Sequence, residues 1–251
     1  MLSRLLTSAL IAGAAAGLIA ALLQLVFVQP VLLHAELYEG GELTHFAAPA
    51  EGHDHGHDAV ADADHDHGAA PAATGAAGHE APPFGIDPAR DGLSVLFSIL
   101  VYAGYGMLLI AAIALAEARG WRVTARQGIL WGLAGFVAVQ LAPAFGLAPE
   151  LPGMAAADIG ARALWWVATV VLSAAALWLI AFGQGWGAWA AAIVLIALPH
   201  LVGAPHPAEF TGPTPPELAA QFAGRALGAG LIAWAVLGLM TTTLWSRART
   251  A

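Results

Sequence analysis

Apolar residues run along this chain in long, nearly unbroken stretches, not in the short amphipathic periods of a water-soluble bundle. A bilayer core takes roughly 20 residues of helix at about 1.5 Å each. Stretches of that order lie at 5–29, 93–116, 127–147, 162–182, 187–204 and 223–245. They predict an all-α integral membrane protein, a bundle of six transmembrane helices forming one membrane domain over residues 1–251. The fifth stretch is short and closes on Pro199 and Pro205, so five spans with 187–204 re-entrant is the alternative. The first stretch follows Arg4 and continues to Val28 without a small-residue cleavage site, and reads as an uncleaved anchor.

Polar positions collect between these stretches. The widest gap, 40–88, is an acidic, histidine-rich loop whose centre reads EGHDHGHDAVADADHDHG at 51–68. His53, His55, His57, His65 and His67 alternate there with aspartate and glycine, and almost nothing in the segment can pack, so it is expected to be flexible. Composition agrees with the pattern: 59% hydrophobic against 10% charged residues, with a mean hydropathy of +0.72, cannot clothe a water-soluble globule. The chain has no cysteine, so disulfides and thiolate metal sites are excluded and any metal must meet His, carboxylate, Met or carbonyl oxygen.

The nine basic residues are all arginine. Arg4, Arg119, Arg122, Arg126, Arg247 and Arg249 fall on one predicted side, and Arg90, Arg162 and Arg225 on the other. The positive-inside rule then puts both termini in the cytoplasm and the multi-pass chain in the inner (plasma) membrane. The histidine-rich loop and every acid but Glu117 face the periplasm or exterior. Arg90 beside Asp91, Arg162 four residues after Asp158 and Arg225 eight after Glu217 suggest local pairing of the three outward arginines. Trp121, Trp131, Trp186, Trp189 and Trp245 would form the inner aromatic belt, and Trp165 with Trp166 the outer one. Gly13/Gly17, Gly128/Gly132 and Gly224/Gly228 have the spacing of close helix approach.

Imidazole at this density binds divalent transition metals with little selectivity among Co, Ni, Cu and Zn. A flexible loop cannot carry an ion through about 30 Å of hydrocarbon, however, so an ordered second site is expected. Candidate ligands cluster near the outer helix ends: His34, Glu36 and Glu39 after the first span, Glu150 and Asp158 between the third and fourth, and His200, His206 and Glu209 after the fifth. Proline-freed carbonyls beside His200 and His206 would add oxygen ligands. No carboxylate or arginine lies deep in a span, which argues against a proton relay within one chain and leaves a pore shared between copies in a homo-oligomer. Zincin, nucleophile-elbow, Walker A and dinucleotide motifs are missing, and the scattered arginines disfavour nucleic acid. The chain therefore reads as a non-enzyme with no permanently bound cofactor.

The exit QPVLLHAELYE, the external histidine-rich insert, GLAGFVAVQLAPAFGLAPELPG at 132–153, ARALWW at 161–166 and HPAEFTGP at 206–213 together resemble CbtA, a family of predicted cobalt transporter components. The resemblance covers nearly the whole chain. It implies uptake of a divalent metal, cobalt, as cargo for cobalamin supply, alongside a separate one-span subunit with its own histidines. It bears on His34, Glu36, Glu39, Pro143, Glu150, Pro152, Gly153, Asp158, Arg162, His206, Pro207 and Glu209. The alternative is a non-transporting, periplasm-facing protein that binds or senses metal.

Overall fold

The computed structural model describes residues 2–45 and 87–250, and among them the chain is helical without a strand. Six helical segments are long and apolar enough to cross a membrane. The first comprises α1 (Leu2–Leu23), a π-helical turn (Gln24–Val28) and α2 (Gln29–Glu39). The second is α3 (Pro88–Ala118). The third contains a 3₁₀ turn (Ala125–Gln127), α4 (Gly128–Phe136), a second π turn (Val137–Leu141) and α5 (Ala142–Ala144). The others are α6 (Ile159–Phe182), α7 (Gly185–Val202) and α8 (Pro216–Thr250). The stretch 187–204 is thus one helix of full crossing length and not a broken re-entrant segment.

Helix starts follow their sequence signals. Asp87 caps α3 by accepting from the N–H groups of Ala89 (2.9 Å) and Arg90 (3.2 Å), with Pro88 following. Asp158 caps α6 through Ala161 N–H at 2.9 Å. Pro216 opens α8 and Glu217 sits in its first turn, favourable to the positive helix end.

Four segments form the core: α1 packs on α3 and α8, and α8 also packs on α4. Apolar side chains gain little from leaving lipid for protein, so close backbone approach and dispersion must hold such helices together. Glycine supplies that approach. A Cβ at Gly17 would stand 2.6 Å from Ile99 Cα, one at Gly106 2.7 Å from the Ala9 carbonyl, and one at Gly13 would strike the backbone of Ala103. Gly128 and Gly132 meet α8 in the same way at Leu239 and Trp234, and Gly238 completes the contact from the α8 side. The expected pair Gly224/Gly228 behaves differently. Nothing lies within 4 Å of a Cβ at either position, because that part of α8 faces away from its neighbours.

Helices α6 and α7 pack on each other and reach the core mainly through α6, against the second π turn and α5. Only 11% of the α7 span is buried, against 39% of the α3 span, which puts α7 at the periphery. Contacts also fix the two ends of the bundle. Glu39, Gly153 and Pro213 meet at one end, hereafter the loop face, and Gly128 meets Thr242 at the other, the arginine face. Six alternating crossings return both termini to the arginine face.

The aromatic belts need revision. Trp121, Trp186 and Trp189 are exposed as expected, but Trp165 and Trp245 are buried. Trp165 packs inward because its indole N–H donates to the Pro199 carbonyl at 3.1 Å. Trp245 belongs to the apolar core with Ile113 and Leu237.

Candidate functional site at the loop face

Two helices that rise to the loop face share a backbone device. In each, a five-residue π turn ends two residues before a proline, Pro30 in one and Pro143 in the other. Gln29 N–H reaches back five residues to the Gln24 carbonyl, and Ala142 N–H reaches to that of Val137. Proline lacks an N–H and its ring collides with the carbonyl four residues earlier, so widening the preceding turn relieves the clash without breaking the helix. The carbonyl of Phe27, within this turn, accepts from Arg225 of α8 at 3.0 Å. Pro199 in α7 has no such turn before it, so the plan is shared by two of the three segments that rise to the loop face.

Polar side chains fasten the first of these turns to its neighbours. Gln29 Nε2 donates to Asp91 Oδ1 at 2.9 Å, Arg90 Nε donates to the same oxygen at 3.0 Å, and Asp91 Oδ2 accepts from Asp87 N–H at 3.2 Å. Arg90 is therefore neutralised locally, as its neighbour in sequence suggests. The other two outward arginines are paired differently from expectation. Arg162 donates to Glu150 at 2.7 Å, because Asp158 is occupied as the cap of α6. Arg225 binds the Phe27 carbonyl and not Glu217.

The candidate ligands distribute as follows. His34, Glu36 and Glu39 lie on α2, so the first helical segment extends ten residues beyond the 5–29 boundary. His34 is half-buried with its ring 5.7 Å from that of Tyr38, while Glu36 and Glu39 are exposed. Glu39 packs over Gly153, whose φ of +76° makes a side chain there unfavourable, and beside Pro213. The loops after α5 and α7 are joined by Ala155 N–H donating to the Thr211 carbonyl at 2.9 Å. One surface therefore collects the α2 end and both loops. Glu150 carries its ion pair there, and Asp158 and Glu209 are exposed. His206 is exposed, with Nδ1 3.0 Å from the Pro207 carbonyl and its ring 6.0 Å from Phe210. His200 stands apart, edge-on between Phe145 (6.2 Å) and Trp165 (5.9 Å). The Pro199 carbonyl beside it accepts from the Trp165 indole N–H and from Gly203 N–H.

Among the described residues no three His, Asp or Glu side chains stand close enough to share a metal ion. His34, Glu36, Glu150 and His206 accordingly form no three-ligand group by themselves. The reason is geometric: Glu150 is drawn to Arg162, and His206 to its own backbone and Phe210. His53, His55, His57, His65 and His67 lie outside the described residues.

Sequence reasoning missed the Gln29–Asp91 and Arg225–Phe27 links. Gln29 was visible as a polar residue beside Pro30, but its partner lies 62 positions away and that of Arg225 lies 198 away. Within the membrane, Tyr105 stacks on Trp234 at 4.8 Å and Tyr102 meets both rings. Thr169 bonds back to the Trp165 carbonyl, so it adds no free polarity to a pathway.

Across residues 2–246 the chain matches the family described as "Probable cobalt transporter subunit (CbtA)". No curated protein and no solved structure matches it.

Proposed function

The chain belongs to the CbtA family of probable cobalt transporter subunits and is a membrane component of cobalt transport; from that premise we propose that the loop face is where the ion is taken up. In this reading the loop face is periplasmic or extracellular, the histidines of 51–68 collect the divalent ion, and His34, Glu36, Glu39, Glu150, Asp158, His200, His206 and Glu209 supply an ordered acceptor. The observation that carries it is the gathering of the α2 end and the two ligand-bearing loops on one surface. In sequence the histidine-rich segment follows α2 and precedes Asp87, the cap of α3. The arginine count supports this orientation, since six of the nine arginines lie toward the opposite, arginine face. Further expectations are a one-span subunit that completes the path and a role in carriage, not catalysis.

Uptake of radiolabelled cobalt tests the assignment. Deleting 51–68 should lower apparent affinity at scarce metal and leave maximal uptake unchanged. The double change Glu36→Ala, His206→Ala should abolish uptake. Intact uptake in the double variant, or its loss at all concentrations on deletion, would refute the two-step arrangement.

The lack of carboxylates deep in the spans favours a second reading, a metal-binding or sensing protein without flux. Purified protein in liposomes separates the two: binding without cobalt accumulation supports the second.

A further inference from the structure

At the arginine face a cavity of about 470 Å³ lies between the turn joining α3 to α4 and the turn joining α6 to α7. Trp121, Trp178 and Phe182 form its apolar wall, and Arg119, Gly120 and Gln184 its polar side. The wall is held in place by ring contacts: Phe182 lies 4.6 Å from Trp178, 5.3 Å from Trp121 and 6.2 Å from Trp131. The Arg119 guanidinium makes no ion pair or hydrogen bond with any of the described residues, although its backbone N–H closes the end of α3. Beside the cavity, α7 begins directly after Gln184 with no side-chain cap, so the first N–H groups of an 18-residue helix stay unpaired. Gly185 and Gly187 leave open space where side chains would otherwise cover that backbone. The surrounding charge also favours an anion: Arg119, Arg122 and Arg126 stand against Glu117 alone in 117–127.

The apolar wall narrows the choice of anion. A small inorganic anion would gain nothing from Trp178 and Phe182, whereas a phospholipid brings methylenes next to its phosphate. The cavity also sits at the end of the spans, level with exposed Trp186 (91%) and Trp189 (50%), where headgroups lie. We propose that this cavity binds the phosphodiester of an anionic phospholipid of the adjacent leaflet. Arg119 and Gln184 donate to the phosphate oxygens, and the first acyl methylenes lie over Trp178 and Phe182. The inference is independent of the uptake reading.

Native mass spectrometry of the delipidated full chain tests it, with phosphatidylglycerol, phosphatidylcholine and inorganic phosphate as separate probes. Phosphatidylglycerol should bind most tightly. Arg119→Gln should weaken it about tenfold or more, the scale of one charge-assisted hydrogen bond. Gln184→Leu should weaken it by a smaller factor, and Arg90→Gln, which removes a charge at the opposite face, should not. Equal affinity in the Arg119 and Arg90 variants, equal binding of phosphatidylcholine, or a preference for inorganic phosphate over the lipid would overturn the proposal. If Arg119→Gln fails to fold, Gln184→Leu and Trp178→Leu carry the same test.

Discussion

Arg225 illustrates how a charged side chain at the membrane edge can act on backbone. Its guanidinium donates to a main-chain carbonyl within the first π turn, so the residue ties α8 to a helix to which it does not belong. Arg225→Ala removes that cross-helix hydrogen bond and should destabilise the protein by about 0.5–1.5 kcal/mol, read as a lowered Tm in detergent. Glu150 should respond oppositely. Its pair with Arg162 is about one-third exposed on each side, and such pairs contribute about 0–1 kcal/mol. Glu150→Gln should therefore leave Tm within a degree or two, and a fall in cobalt uptake at unchanged Tm would mark Glu150 as a ligand. The partner adjacent in sequence was legible: Arg90 with Asp91. Partners brought together by the fold were not, because nothing in residues near Arg225 or Gln29 signals a carbonyl or carboxylate on another helix.

Among helices, the stripes of glycine separate into two kinds that spacing alone cannot distinguish. Gly13 lies against backbone, which cannot yield as a side chain can, so Gly13→Ala should destabilise by roughly 1–3 kcal/mol through overpacking. Gly224 faces open space, and Gly224→Ala should stabilise α8 by about 0.5–1 kcal/mol. Thermal unfolding of the two variants side by side checks the sign of each. The spans themselves were readable because lipid demands long apolar stretches whatever the tertiary contacts. Their true ends were less so: α2 carries the first segment on through the polar residues His34, Glu36 and Glu39, which a hydropathy boundary cuts off.

For the molecule as a whole, the absence of cysteine makes topology directly measurable. Single substitutions Ala155→Cys, Thr124→Cys and Ser246→Cys should divide cleanly. An impermeant maleimide added to intact cells should label the first and spare the other two, with the reverse in inverted vesicles. Labelling of Ser246→Cys from outside would mean an odd number of crossings and remove α7 as a span. Fold class and the six long apolar helices were legible from hydropathy, whereas the geometry of the outer ligands was not, since it depends on which acids the arginines claim. The π turns also have a bearing on how such a surface is set. Each amounts to one surplus residue in an otherwise regular helix, and a residue occupies about 100° of turn. Excising Leu25 would thus rotate α2 by that angle relative to α1, changing the phase of His34, Glu36 and Glu39 together without altering any of them. The direction in which the ligands face is written into a length.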